Sequence, residues 1–320
     1  MLSTAARANL TIVLVGARNP SNIGAAARAM QDFGFSDLRI VNDFAAPFEA
    51  AQLDAQQLET TSAVAAQHVM RNARRYNTLA PAIADCTLVV ATTAIGEREI
   101  KQHLLPLQQI SPLILATLNT PTIMGAPCLD SETWAGEEPQ PTTQLPLGAP
   151  FMTAPSSWVG SDESQTTTAR VALLFGSEKT GLTKDQLSHA TLLTTIPMFS
   201  PSDARHLSMN LGQSVAVCLY ELTRSGFEHS IDLPATQEPP STAQDRELLT
   251  QLLLDVLQTT GYTRRFPANA SEPLVRQLIQ QLGSSHREAG LQGSMTHRQA
   301  MTLMGILRQI LWSKQNDSQP

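Results

Sequence analysis

The sequence predicts an α/β protein built on a parallel sheet and followed by a helical extension. Three observations carry this. Leu10–Val15 and Leu38–Val41 are short leucine and β-branched runs that flank a stretch of helical spacing, the pattern of a βαβ unit. Further apolar runs at Cys86–Thr93, Val171–Phe175 and Leu192–Ile196 recur later in the chain. After the proline-containing segment 230–243, only helical periodicity remains.

Taken in order, Leu10–Val15 reads as a buried strand ending at Gly16. From Gly24 to Phe33, Ala26, Ala29, Met30 and Phe33 share one helix face, and Gly34 stands at the C′ position that favours glycine. Residues 50–75, rich in alanine and glutamine, read as helical, and Leu113–Leu118 is compatible with strand or helix. Between 119 and 169, prolines recur from Pro121 to Pro155 among Thr, Ser, Gly and Glu, so this stretch reads as a surface insert without regular structure. Val171–Phe175 and Leu192–Ile196 are the next strands. A helix running from Ser208 to Leu222 would bury Leu211, Val215, Cys218, Leu219 and Leu222. Gln244–Gly261, Ser271–Leu282 and Thr296–Trp312 read as helices. The expected domains are therefore 1–229, carrying the insert, and 230–320, a linker with a helical extension.

Composition narrows the function classes. The 320 residues are 42% hydrophobic and 16% charged, as expected of a globular chain with a sizeable core. No apolar run reaches the roughly 20 residues a bilayer span needs. The three cysteines, Cys86, Cys128 and Cys218, show no metal-ligand or disulfide spacing, so no metal is expected and a reducing cytoplasmic setting is the simplest. A net charge of −6 argues against a nucleic-acid coating protein but leaves room for a local basic groove. Arginines do cluster, at Arg71, Arg74 and Arg75 and at Arg264 and Arg265.

Three segments carry chemistry. The first holds Asn22, Gly24 and Arg28 just after the first strand, where a glycine lets backbone approach a ligand. Ala26 and Ala29 occupy the places of the other two glycines of a dinucleotide fingerprint, which counts against a dehydrogenase. The second is Phe175-Gly176-Ser177-Glu178-Lys179-Thr180-Gly181-Leu182, whose lysine precedes the second glycine and so breaks the phosphate-loop spacing. The third is Ile196-Pro197-Met198 followed by Ser208-Met209-Asn210-Leu211, where Ser208 suits an N-cap and Asn210 a place in the first turn.

In this order the three segments resemble the motifs of the SpoU/TrmH branch of the SPOUT RNA methyltransferases, and most resemble its TrmJ-like tRNA methyltransferases. The likeness spans residues 10–225 without the insert. It implies a parallel α/β sheet whose C-terminal part threads a trefoil knot, a feature that general topology rules disfavour. It implies S-adenosylmethionine held by Thr92, Thr93 and Ala94, by Gly176, by Ile196 and Met198, and by Ser208 and Met209. It implies RNA, here tRNA at anticodon-loop position 32, as substrate, a homodimer with its active site at the interface, and methyl transfer to a ribose 2′-hydroxyl. Arg28, Asn22, Glu178, Ser208 and Asn210 would form the catalytic set. Arg28 would act as a phosphate clamp or as the base; a guanidinium with pKa above about 12 favours the clamp. A non-catalytic RNA-binding module on the same fold is the alternative.

Overall fold

A computed structural model describes residues 2–41, 49, 66–93, 104–119, 121–123, 166–199, 209–228, 239–282 and 295–316. Its centre is a seven-stranded sheet. The strands are β1 (Leu10–Val15), β2 (Asp37–Val41), β3 (Arg74–Tyr76), β4 (Leu88–Thr92), β5 (Leu104–Pro106), β8 (Val171–Phe175) and β9 (Leu192–Thr195). They lie in the order β3-β2-β1-β8-β4-β9-β5, and every pair is parallel. Two late strands therefore enter the middle of the sheet: β8 lies between β1 and β4, and β9 between β4 and β5.

Parallel strands have both faces covered, so their side chains alternate between two cores. On one face Leu10, Ile12, Leu14, Leu173 and Phe175 pack beneath helices α2 (Pro20–Phe33), α5 (Leu107–Asn119) and α7 (Leu211–Glu228). The five apolar residues expected on α7 are all buried. On the other face Val13, Val15, Ala172, Leu174 and Leu193 meet α4 (Leu79–Ile83), α6 (Lys184–Ser188) and Ala243, the first residue of α8 (Ala243–Thr259). A third core joins α8 to α10 (Glu272–Gln281) and α11 (His297–Asn316) through Leu249, Ile279, Ala300 and Met304.

Several expectations are corrected. Helix α2 begins at Pro20 rather than Gly24: Asn19 accepts the Ser21 N–H at 3.0 Å, and Pro20 fits the first helical position, where no N–H is needed. The helical reading of 50–75 lies outside the described residues as far as 65 and fails at its end. Helix α3 (Gln67–Asn72) stops, and Arg74 and Arg75 join edge strand β3. The ambiguous Leu113–Leu118 belongs to α5, which carries Pro112 inside it. The ends of the insert form an antiparallel pair, β6 (Pro121–Ile123) with β7 (Thr166–Thr168); its interior lies outside the described residues. Helix α9 (Tyr262–Arg265) was not anticipated.

The N-terminal edge of the sheet is tied by charge. Arg39 in β2, 1% exposed, donates to Asp85 at 2.5 and 2.8 Å, to Asp37 at 2.9 Å and to the Ala82 carbonyl at 2.7 Å. Asp37 also accepts from Thr11, Arg74 and Arg170. Burial alone would raise the Asp37 pKa; hydrogen bonds from Arg39 and Thr11 and the Arg39 charge outweigh it, and the pKa falls from 3.8 to about 2. The folded value lies below the unfolded one, so this carboxylate's stabilisation is complete above pH 3.8 and is lost as pH falls through about 2. Its size is on the order of 2 kcal/mol. Denaturant titrations of Asp37→Asn should therefore show a flatter stability curve between pH 4 and 2 than the unchanged chain. Parallel curves would remove Asp37 from this role.

Candidate active site

The carboxyl ends of β1, β4, β8 and β9 face the same edge of the sheet, the edge at which open parallel sheets bind ligands. Local chemistry shapes each loop there. After β1, Gly16 takes φ +68° and donates to the Val41 carbonyl at 2.7 Å, turning the chain into α2. After β8, Gly176 has no space for a side chain: an added Cβ would stand 2.3 Å from the Gly181 carbonyl carbon and from the Leu182 nitrogen. Gly181, at φ +66°, closes the turn with its N–H on the Ser177 carbonyl at 2.8 Å. The turn holds Glu178 out towards solvent. Beyond it, a capping box of Thr183 and Gln186 starts α6.

Helix α7 begins close against α2. A Cβ on Gly212 would lie 2.6 Å from Ala25 Cβ, so only glycine allows this approach. Three polar side chains thereby meet. Asn210 donates to Asn22 Oδ1 at 2.9 Å, and Asn22 donates to Glu178 Oε1 at 2.9 Å. Asn210 Oδ1 meanwhile accepts the Gly212 N–H at 2.9 Å, capping α7. Each amide is used at both ends, which fixes its orientation. The donors run one way, from Asn210 through Asn22 to the Glu178 carboxylate.

The sequence-derived set thus divides. Asn22, Glu178 and Asn210 come together although 156 and 188 residues separate the bonded pairs. Arg28 stays apart within the chain: it lies six residues beyond Asn22 on α2, about 9 Å along and about 240° around the helix. Its Nε pairs with Asp32 at 3.2 Å. Ser208 and Ala94 lie outside the described residues. Gly24 sits in the second turn of α2 rather than at its start, and a Cβ there would meet nothing within 4 Å.

The cofactor residues expected at the strand ends lie side by side. Ala91 pairs with Leu174 and Thr92 with Thr194, which brings Thr92, Thr93, Gly176 and Ile196 to one level across β8, β4 and β9. Thr92 Oγ1 donates to the Leu174 carbonyl at 2.9 Å, and the Thr93 N–H to the Thr194 carbonyl at 2.9 Å. Thr93, Ile196, Met198 and Met209 are half-buried. The neighbouring Thr195 hydroxyl is buried without a hydrogen-bond partner among the described residues. A buried hydroxyl left unmatched costs about 1–3 kcal/mol, so this strand end suits a polar ligand.

Beside the Asn22–Glu178 pair opens a cleft of about 1040 Å³. Its polar lining includes Arg18, Asn19 and Lys179 from the strand-end loops and Glu247, Glu272 and Arg276 from the C-terminal helices. Sequence reasoning missed the last three. Each lies on an ordinary amphipathic helix: Glu272 and Arg276 read as a routine i,i+4 pair, and Glu247 lies 29 residues from Arg276, so no local pattern marks their place in the cleft.

A model of the SpoU rRNA Methylase family matches residues 9–116 and 150–220. The chain belongs to the SpoU rRNA methylase family. The match contains all three polar residues of the Asn22–Glu178–Asn210 chain. Among curated relatives, it is 27% identical over 250 residues to the uncharacterized tRNA/rRNA methyltransferase LasT of Escherichia coli (strain K12), covering 78% of this chain and 81% of LasT. It is 28% identical over 259 residues to the tRNA (cytidine/uridine-2'-O-)-methyltransferase TrmJ of Sodalis glossinidius (strain morsitans), covering 80% and 78%. The crystal structure of TrmJ from Z. mobilis ZM4 superposes with a TM-score of 0.57 at 24% identity, over 94% of this chain and 98% of that one. That likeness extends the shared fold into the C-terminal helices.

Proposed function

We propose that this chain transfers a methyl group from S-adenosylmethionine to a ribose 2′-hydroxyl of tRNA, in the anticodon loop at position 32. The observation that carries the reading is the hydrogen-bonded set Asn22, Glu178 and Asn210 beside the ends of β4, β8 and β9, in a member of the SpoU rRNA methylase family. The curated names of its TrmJ relatives, tRNA 2'-O-methyltransferases, support tRNA as the substrate.

The residues at the strand ends fit the cofactor. Backbone groups of Thr92, Thr93, Ala94, Gly176, Ile196 and Met198, with Ser208 and Met209, would hold it, and the unmatched Thr195 hydroxyl offers a further polar contact. When bound, S-adenosylmethionine supplies a methyl already activated by a sulfonium, so no metal is needed. The chain's own tasks are to place the ribose oxygen in line and to ease removal of its proton. Asn22, Asn210 and Ser208 orient the site. Glu178, the acceptor at the end of the donor chain, aligns a donor of the incoming sugar. Arg28 binds the target phosphate and polarises the hydroxyl.

Because Arg28 stands apart from the trio within one chain, the reading includes a homodimer in which the interface completes the site. Tyr220 on α7, 56% exposed and edge-on to Phe33 of α2, supplies apolar surface for such an interface. The reading also includes a trefoil knot; the insertion of β8 and β9 among earlier strands is compatible with one. The catalytic domain would span 1–229, with the helices after it as an RNA-facing extension. On that extension Tyr262 and Phe266 pack at 5.0 Å next to exposed Arg264 and Arg265, a combination suited to unpaired bases and phosphates.

Mass spectrometry of nucleosides from tRNA of a deletion strain tests the function. One 2′-O-methyl nucleoside should disappear and return when the gene is restored. An unchanged ribose-methyl profile would overturn the proposal.

A further inference from the structure

The wall of the cleft contains a buried arginine that, among the described residues, contacts neither the proposed cofactor residues nor the Asn22 trio. Arg276 in α10 has a side chain only 4% exposed. Its Nε donates to Glu247 Oε2 at 2.9 Å and its Nη2 to Glu247 Oε1 at 3.2 Å and to Glu272. Its Nη1 donates to Asp185 Oδ1 at 3.1 Å and to Ser188 Oγ at 3.0 Å. Glu247 belongs to α8, and Asp185 and Ser188 to α6. One guanidinium therefore joins three helices and compensates three carboxylates.

What α6 is attached to gives this arrangement its meaning. Its capping residue, Thr183, follows directly on the Gly176–Leu182 turn, and Leu182 is buried at 3% exposure. The turn is closed internally by the Gly181–Ser177 bond. A shift of α6 has no slack residues in which to dissipate before it reaches Glu178. Without Arg276, Asp185, Glu247 and Glu272 would face one another in the cleft wall, and their repulsion would push α6 away from the C-terminal helices.

We propose that Arg276 is a positioning residue for methyl transfer: by locking α6 to the C-terminal helices it fixes the turn that presents Glu178 to Asn22. This rests on the function proposed above, but the coupling has its own readout. A second buried arginine of the same extension supplies the control. Arg246 in α8 donates to the Ser241 carbonyl at 2.6 Å and to the Thr87 carbonyl at 3.2 Å, at the opposite edge of the sheet. Its loss destabilises the same docking without touching α6.

The test compares Arg276→Gln, Arg276→Lys and Arg246→Gln in the full chain, at temperatures set equally far below each variant's melting point. Two quantities are measured: hydrogen exchange of residues 176–183, and kcat and KM for methyl transfer to tRNA. Arg276→Gln should speed exchange in 176–183 and lower kcat by about 10-fold or more, the scale of a misplaced catalytic group. KM for S-adenosylmethionine should stay within about twofold, since none of the described strand-end residues touches Arg276. Arg276→Lys, which keeps the charge but not the fork, should recover part of the loss. Arg246→Gln should alter neither quantity. Unchanged exchange in 176–183 upon Arg276→Gln overturns the coupling whatever the activity, as does an equal response from Arg246→Gln. Altered exchange with unaltered kcat overturns the role in transfer. If the unchanged chain methylates no tRNA while exchange responds as expected, the coupling stands and the assigned reaction falls.

Discussion

Replacing Arg28 with alanine should lower methyl transfer to tRNA by about 10²–10³-fold, the range seen when one preorganised transition-state donor is removed. S-adenosylmethionine affinity by calorimetry should hardly change, because Arg28 lies on α2, whereas the proposed cofactor residues lie at the ends of β4, β8 and β9 and just before α7. A melting curve of the same variant separates loss of activity from loss of fold. The Arg28–Asp32 pair is an i,i+4 contact with side chains 40% and 55% exposed, and such pairs contribute about 0.3–0.5 kcal/mol. Arg28→Lys should recover only part of the rate, since an ammonium cannot grip a phosphate with a planar fork. Full activity in the alanine variant would remove Arg28 from the reaction and leave the Asn22 trio to act with another cation.

The second large effect is expected at Gly176. Alanine there puts a methyl 2.3 Å from two backbone atoms of the same turn, Gly181 C and Leu182 N, and neither can rotate away as a side chain could. The turn must open, which strains the Gly181–Ser177 bond and moves Glu178 from Asn22. Overpacking of this kind costs about 1–3 kcal/mol or more, so the melting temperature and the transfer rate should fall together. Gly24→Ala is the matched comparison. It adds the same methyl into open space within α2, where alanine is favoured over glycine by about 0.5–1 kcal/mol. That variant should be as stable as the unchanged chain or more so, and a drop in its activity would report a ligand pressed against the helix. Equal stability of Gly176→Ala and the unchanged chain would contradict the packing described here.

Local chemistry made much of the fold and half of the site legible. Strand β1 follows from a run of leucine and β-branched residues, and the end of α2 from Gly34, which takes φ +75°. Asn22, Glu178 and Asn210 were readable as members of motifs at strand ends, although their mutual bonds were not. Other features had no local signal. Pro112 masked helix α5, because a proline inside a helix argues against helix at that point. Arg74 and Arg75 became strand because the edge of β2 was open to pair with them and Asp37 could bind the Arg74 side chain. Arg276 was invisible because its partners Glu247 and Asp185 lie 29 and 91 residues away, and only the packed helices bring them within reach.

The crossing of α2 and α7 acts as a ruler. Because Gly212 and Ala25 put almost nothing between the two helices, the gap between Asn22 and Asn210 is one hydrogen bond wide, and backbone rather than side-chain flexibility maintains it. Bulk added at either position would widen that gap, so two of the smallest residues in the chain govern the calibration of the Asn22–Asn210 contact.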